Sequence, residues 1–404
     1  MEARLPHAPT TDEHSTLDNA PEVAEAFLAS AVGGARRGRA RFHELEVADV
    51  RPLTEDAIEV TFAVPDELRG EFDYLAGQHV ALRTHLDGQE VRRSYSLCRP
   101  PSVGAASGTG SISIAIKRDI GGRFSTWAHG NLRPGDRLDV MSPQGSFTSA
   151  LADLDGRHVA GIAAGSGITP LMALAAAVLA HSDTSRFTLI YTNRSTSDVM
   201  FLEELGELKD RYPARLALHH VLSREQRTAP LLSGRIDEPK LRRMLDVLVP
   251  PATVDEWFLC GPLDLVQLCR DVLADVGVDR AHVRYELFTT GEPGQPAPAA
   301  PRNVEVRRGE PVVTVELTLD GVSSTVESPV DAHETILNAA LRVRPDAPFA
   351  CTGGVCGTCR ARLVSGSVRM TENWALEPDE LERGYVLTCQ SHPTTERVVV
   401  DYDG

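Results

Sequence analysis

Ala350-Cys351-Thr352-Gly353-Gly354-Val355-Cys356-Gly357-Thr358-Cys359 sets three cysteines at spacings of five and three, and Cys389 follows thirty residues later in Leu387-Thr388-Cys389-Gln390. Cys-x4-Cys-x2-Cys with a distant fourth cysteine is a spacing at which four thiolates hold a [2Fe–2S] cluster. The glycines let a short loop wrap closely and turn backbone N–H groups toward bridging sulfides. A single Cys-x2-Cys knuckle is half of a zinc site, and zinc ribbons usually pair two. A Rieske centre needs two histidines in place of two cysteines, and no Cys-x-His pair occurs. A disulfide framework belongs to small secreted chains. The segment predicts a carrier of single electrons.

The rest of the chain organises around that segment. Its 404 residues allow two to four domains, and 42% hydrophobic with 24% charged residues is ordinary globular composition. No apolar run approaches a membrane span, no secretory signal opens the chain, and a cytoplasmic location is the expectation. A net charge of −16 argues against nucleic acid and for partners with basic surfaces. Residues 1–40 read as a flexible tail, with a short helix at Glu22–Val32 and a basic run at Arg36–Arg41. Residues 41–150 carry short alternating strands (His43–Val50, Ala57–Val64, His79–Thr84, Ser111–Lys117, Arg137–Met141) punctuated by turns, as in a small antiparallel β-barrel. Residues 151–291 alternate apolar strands with helical patterns, including helices over Leu171–Ala180 and Phe201–Arg211, which indicates a covered parallel sheet. A Pro/Ala linker spans 292–304, and the cluster domain, 305–404, opens with a hairpin around Asp320-Gly321. Cys98, Cys260 and Cys269 are scattered, as reduced thiols are.

Each upstream domain carries motifs. Arg92-Arg93-Ser94-Tyr95-Ser96 on a strand puts Arg93 and Tyr95 on one face and Ser96 on the other. The cation suits a pyrophosphate, the ring a flat heterocycle and the hydroxyl a ring nitrogen. Gly121-Gly122-Arg123-Phe124-Ser125-Thr126-Trp127 opens a helix whose free N–H groups make an anion site. Taken singly, these are equally an amphipathic strand and an ordinary N-cap. In the second domain, Gly165-Ser166-Gly167-Ile168-Thr169-Pro170 joins a strand to a helix, where phosphates approach a helix N-terminus. Pro170 replaces the third glycine of a dinucleotide fingerprint and is read as starting the helix. The strand Trp257–Leu259 ends in Cys260-Gly261-Pro262, placing a thiol where a nicotinamide would lie, or merely burying a cysteine.

Taken in this order, the motifs resemble the ferredoxin–NADP reductase superfamily, and with the C-terminal cysteines its oxygenase-reductase components. The resemblance runs from about residue 42 to the end and is nearest to reductase subunits of the phenylacetyl-CoA epoxidase type, through Pro143-Gln144-Gly145-Ser146-Phe147, Asn193-Arg194-Ser195-Thr196 and Leu376-Glu377-Pro378-Asp379-Glu380-Leu381. It implies a multidomain β, α/β and α+β fold: a flavin-binding antiparallel barrel, a parallel-sheet nucleotide domain and a β-grasp ferredoxin domain. It implies FAD held by Arg93, Tyr95 and Ser96, with its phosphates at Gly122, Arg123, Phe124 and Ser125. It implies a nicotinamide dinucleotide at Gly165, Ser166, Gly167, Thr169, Cys260, Gly261 and Pro262, and hydride chemistry at Ser96, Cys260 and Glu286. Glu286 has an alternative as a solvated surface charge. Cys351, Cys356, Cys359 and Cys389 are the cluster ligands.

Electron counting then orders the parts. A nicotinamide gives two electrons as hydride and the cluster takes one at a time, so a flavin must stand between them. The external acceptor implied is a di-iron oxygenase, met near the acidic ferredoxin domain. Arg194, Ser223 and Arg224 follow the second and third strands of the nucleotide domain, where they suit a ribose 2′-phosphate, which favours NADPH over NADH. FMN in place of FAD, a ketosteroid hydroxylase as the acceptor, and a non-catalytic redox sensor or adaptor stand as alternatives.

Overall fold

The structure is a computed structural model and describes residues 40–101, 110–149, 153–288, 304, 306–376 and 378–404. Apart from Ala40 and Val304, the tail expected over 1–40 and the linker expected over 292–304 lie outside the described residues.

Six antiparallel strands open the fold: β1 (Phe42–Thr54), β2 (Ala57–Ala63), β3 (His79–Leu86), β4 (Gln89–Ser96), β5 (Ser111–Lys117) and β6 (Arg137–Met141). Their order is β4-β3-β6-β1-β2-β5. A Leu97–Ile114 bridge joins the two edges, and the Cys98 N–H donates to the Ser113 carbonyl at 2.9 Å, so the sheet closes as a barrel. The period-2 alternation divides the faces. Val80 and Leu82 join Leu45, Phe62 and Ile114 inside, leaving His79, Ala81 and Arg83 for the outer face of β3. Helix α1 (Arg123–Asn131) packs on this core through Phe124 and Ala128.

The second sheet is parallel: β7 (His158–Ala164), β8 (Arg186–Asn193), β9 (Leu216–Leu222), β10 (Glu256–Cys260) and β11 (Val283–Glu286), ordered β11-β10-β7-β8-β9. Its helices are α2 (Ile168–His181), α3 (Leu202–Arg211), α4 (Glu238–Val247) and α5 (Leu263–Asp275). Helix α2 is buried from Ile168 to Leu179 because it lies in one core with Ala76, Ala115 and Phe147 of the first domain as well as with its own sheet. After β9 the chain crosses back to place β10 on the other side of β7. The topological switch point, where open α/β sheets take ligands, thus lies between the carboxyl ends of β7 and β10.

Two helix starts differ from the sequence reading. Gly165–Gly167 tightens into a 3-10 turn that feeds Ile168 directly into α2, two residues before Pro170. Phe201 is not the first helical residue of α3 but its cap, at φ 58, held in that left-handed conformation while its ring is buried in the core.

The third unit has β12 (Val312–Leu319), β13 (Val322–Pro329), β14 (Arg360–Ser365), β15 (Val368–Met370), β16 (Tyr385–Leu387), β17 (Ser391–Pro393) and β18 (Arg397–Asp401). Five form a mixed sheet, β13-β12-β18-β14-β16, in which β12 and β18 are parallel, and β15 pairs with β17. Helix α6 (Ile336–Val343) lays Ile336, Leu337, Ala339 and Ala340 on it, the β-grasp arrangement, and α7 (Pro378–Glu382) follows. Among the described residues no helix is long and apolar enough to cross a membrane.

Candidate functional site

The cysteine loop is built by left-handed backbone. Gly354 and Gly357 have φ of 76° and 67°, which side chains rarely tolerate, and a Cβ at Gly354 would lie 3.0 Å from the Glu372 carbonyl oxygen. The loop brings the four cysteines together as two pairs, Cys351 with Cys356 and Cys359 with Cys389. Among the described residues no three His, Cys, Asp or Glu side chains converge as on a single metal ion. Two thiol pairs suit two irons. The Cys351 thiol, bonding to the Cys356 sulfur, holds it well below the usual thiol range, with Thr358 adding to the effect. Cys351 and Cys359 are pushed well above that range, each first by the hydrogen bond to its paired sulfur and then by burial. Four close sulfurs, three of them buried, with Cys351 and Cys359 held from ionising, fit a site compensated by positive iron. Behind them, the Thr388 hydroxyl donates to the Cys359 carbonyl at 2.9 Å and receives the Tyr402 hydroxyl at 3.0 Å. The Gln390 amide donates to the Thr352 carbonyl at 2.7 Å. The sequence motif named the sulfurs but not these supports.

On the barrel, Tyr95 stands against Phe124, ring centroids 5.8 Å apart, and Phe124 against Trp127 at 5.7 Å. Arg93 is half-buried and, among the described residues, makes no ion pair; its one bond is to the Arg92 carbonyl at 2.7 Å. Helix α1 begins at Gly122 with no side chain capping its N–H groups. A half-buried unpaired guanidinium, uncapped amides and an aromatic wall fit a flavin carrying phosphates. Ser125 turns inward, accepting the Asp119 N–H at 3.0 Å and so shaping the turn. Arg123 faces away: its guanidinium reaches Gln89 at 2.8 Å and the Leu86 carbonyl at 3.0 Å, leaving its backbone N–H to the anion site.

At the switch point Gly167 lies against β10, where a Cβ would come within 2.2 Å of the Cys260 carbonyl oxygen. Any side chain there would part the two loops. Thr169 bonds the Ser166 carbonyl at 3.0 Å, and the Tyr191 hydroxyl bonds the Gly165 carbonyl at 2.9 Å, a buttress no motif announced. Cys260 is buried and pairs in register with Glu286 on β11. Burial, with the Glu286 carboxyl nearby, pushes its thiol well up.

Glu286 joins the domains. It is not the solvated charge of the alternative reading, since its side chain is 11% exposed. The Ser96 hydroxyl donates to one carboxyl oxygen at 3.0 Å, and His79 Nδ1 lies 3.8 Å from the other. Burial raises the carboxyl to about 8, against the Ser96 bond and with the Cys356 sulfur adding to the rise. Burial lowers His79, and its Nε2 has no hydrogen-bond partner among the described residues. A cavity of about 320 Å³ opens here between all three domains, touching His79, Phe147, Glu286, Cys356 and Trp374. The cysteine loop closes one side, Ala350 and Cys356 packing on Ala81 and Met141 of the barrel.

The expected 2′-phosphate residues come together at the far end of the sheet. Arg194 and Arg224 follow β8 and β9, and the Arg224 N–H donates to the Arg194 carbonyl at 2.7 Å, with Ser223 beside them. Arg194 already meets Asp198 at 2.9 Å and Asp56 at 3.4 Å, whereas Arg224 is exposed and forms no ion pair among the described residues.

A further charged group crosses the seam between barrel and nucleotide domain, unannounced by any motif. Buried Glu59 accepts Arg99 at 2.6 Å and Arg51 at 2.6 Å, and both guanidiniums also reach Glu204 of α3.

Comparison with known proteins matches this architecture domain by domain. The oxidoreductase FAD-binding domain model fits residues 44–149, the oxidoreductase NAD-binding domain model 162–271, and the 2Fe-2S iron-sulfur cluster binding domain model 317–394. The chain belongs to the family of NAD(P)H-dependent oxidoreductases, the ferredoxin-reductase type, that join FAD- and NAD-binding domains to a C-terminal [2Fe–2S] domain. Within it, the chain is 43% identical over 363 residues to one subunit of the 1,2-phenylacetyl-CoA epoxidase of Escherichia coli (strain K12), covering 90% of this chain and 98% of that protein. It is 35% identical over 370 residues to the ferredoxin reductase component of 3-ketosteroid-9-alpha-monooxygenase from Mycobacterium tuberculosis (strain ATCC 25618 / H37Rv), covering 89% and 96%. Phthalate dioxygenase reductase shares the fold, with a TM-score of 0.52 and 24% identity over 89% of this chain and 98% of that one.

Proposed function

We propose that this chain supplies electrons from NADPH, through FAD and its [2Fe–2S] cluster, to the oxygenase of a phenylacetyl-CoA epoxidase, in the cytoplasm. The observation that carries the proposal is a cavity lined by His79, Glu286 and Cys356, with Ser96 hydrogen-bonded to Glu286 behind it, so that the barrel, the nucleotide domain and a cysteine of the third domain lie side by side. FAD supplies the change from two-electron to one-electron chemistry. The residues act around it. Arg93 and the α1 amides would hold phosphate, Tyr95 would pack on the ring, and Ser96, bonded to Glu286, would stand beside it. Gly165, Ser166, Gly167 and Thr169 seat the dinucleotide, with Cys260, Gly261 and Pro262 beside the nicotinamide. Glu286, when protonated, keeps an uncompensated charge out of the buried seam.

Phenylacetyl-CoA epoxidation is favoured over ketosteroid hydroxylation by 43% against 35% identity at like coverage. A di-iron acceptor docking at the ferredoxin domain is part of the same proposal. The test uses purified chain with NADPH and separately purified epoxidase oxygenase. Wild type should bleach its flavin, reduce its cluster and support epoxidation of phenylacetyl-CoA. Cys389→Ser should lose the cluster absorbance, keep flavin bleaching and support no epoxidation. A Cys389→Ser protein with a normal cluster would refute the ligand set, and a wild type that sustains another oxygenase but not this one would refute the partner.

A further inference from the structure

The strand that carries Arg93, Tyr95 and Ser96 also carries Arg92, a neighbour the flavin reading leaves without a task. Arg92 is 7% exposed, an unusual burial for a guanidinium. Its Nη1 donates to the Phe349 carbonyl at 3.3 Å and its Nε to Glu90 at 2.8 Å. Its guanidinium carbon lies 3.9 Å from the centroid of the Phe349 ring and 5.1 Å from that of Phe42. Arg83, paired with Arg92 across the β3–β4 ladder, lies 4.3 Å from the Phe42 centroid. Phe349 stands two residues before Cys351, and the next residue, Ala350, packs with Cys356 on Ala81 and Met141. The outer face of β3, β4 and β6 is therefore a platform holding the cluster loop by a cation between two rings at one end and a flat patch of small residues at the other.

We infer that Arg92 is a positioning residue that docks the cysteine loop of the ferredoxin domain on the flavin barrel, and so sets the approach of cluster to flavin. This rests on the electron-transfer reading above, in which one electron leaves the reduced flavin and enters the cluster. A surface guanidinium is strongly hydrated unless a ring, a carbonyl and a carboxylate replace the water, and Arg92 has all three. The flat fork stacks and donates at once, which a lysine cannot do. The same strand thus offers Arg93, Tyr95 and Ser96 to the flavin and Arg92 to the cluster loop.

The test is amide hydrogen exchange on the oxidised holoprotein, which reads docking without turnover, in wild type, Arg92→Met, Arg92→Lys and Phe349→Leu. Arg92→Met should lower protection of amides in 347–357 about tenfold, the factor expected for losing a desolvated cation–ring contact. Barrel-core amides, flavin content and the cluster spectrum should not change. Arg92→Lys should fall between, and Phe349→Leu should match Arg92→Met from the opposite side of the interface, which covers the case in which the barrel variant does not fold. Stopped-flow should then show flavin reduction by NADPH within about twofold of wild type and slowed cluster reduction, as for a geometric misplacement. Wild-type protection in both Arg92→Met and Phe349→Leu overturns the inference. A wild type whose cluster is never reduced by NADPH overturns the electron-transfer reading instead, whatever the exchange pattern.

Discussion

Two carboxylates lie buried where the barrel meets its neighbours, and the protein treats them oppositely. Burial alone would raise Glu59, but the guanidiniums of Arg99 and Arg51 hold it below the usual carboxylate range. Glu286 receives one hydroxyl and a neutral histidine, with no cation, and burial lifts it to about 8. The first is a fully paired charge network that fixes α3 against β1 and β2. The second is raised because burial outweighs the one hydroxyl that stabilises its anion. One molecule thus carries a paired acid and an unpaired one, and the difference lies in which partners surround each.

The sharpest way to break that comparison is to remove the paired acid. Glu59→Ala leaves Arg99 and Arg51 facing each other with Glu204 alone between them, and removing one member of a buried pair costs roughly 3 kcal/mol. Denaturant unfolding should show that loss, with the transition of barrel and nucleotide domain no longer coincident; an unchanged midpoint would show the network to be ornamental. On the other side of the comparison, Ser96→Ala and Cys260→Ala should cost less stability than Glu59→Ala, each removing one neutral hydrogen bond or one buried sulfur. They should slow flavin reduction, by on the order of a hundredfold for a misplaced reacting geometry. Stopped-flow rates within twofold of wild type for both would remove the hydride step from this seam.

Acid should separate the two carboxylates more gently. Glu59 has a folded pKa below its unfolded value, near 4.3, so its contribution is whole above that pH and is lost as pH falls through the folded value. The melting temperature of wild type should therefore begin to approach that of Glu59→Gln below about pH 4 and meet it only below the folded value. A difference that stays constant to lower pH would mean that the network does not depend on this charge.

How far the sequence disclosed these features follows from how local each one is. The gathering of the four cysteines, the glycine turn and the Arg-x-Tyr-Ser strand are legible because spacing and residue type mark them in the sequence. The barrel and parallel sheet follow from period and alternation, and the Asp320-Gly321 turn from its residue types, φ 57 and 67. The Glu59–Arg51–Arg99–Glu204 network was not legible, because Glu204 is 145 positions from Glu59 and surface-like on an amphipathic helix pattern. His79 likewise reads as one polar residue in a strand until the fold brings Glu286 to it from the last strand of the nucleotide domain. Phe201 was misplaced by one residue because a left-handed aromatic cap contradicts every local preference, and only its buried ring explains it.

The smallest effect concerns the two arginines at the ends of β8 and β9, a third kind of charge, neither locked nor buried. Arg194 is half-exposed and held by Asp198 and Asp56, so a 2′-phosphate must draw it from partners it already has. Arg224 has no ion-pair partner among the described residues and sits one backbone hydrogen bond away, so it is free to meet the dianion directly. Exposed ion pairs are weak, but a charge-assisted bond to phosphate is stronger than a neutral one. Arg224→Ala should therefore raise the KM for NADPH roughly three- to tenfold, with Arg194→Ala doing less, and NADH use nearly unchanged in both. The ranking distinguishes a phosphate site from a merely basic edge, which would respond equally to either loss and to either cofactor. A wild-type chain that prefers NADH would refute the assignment without any variant.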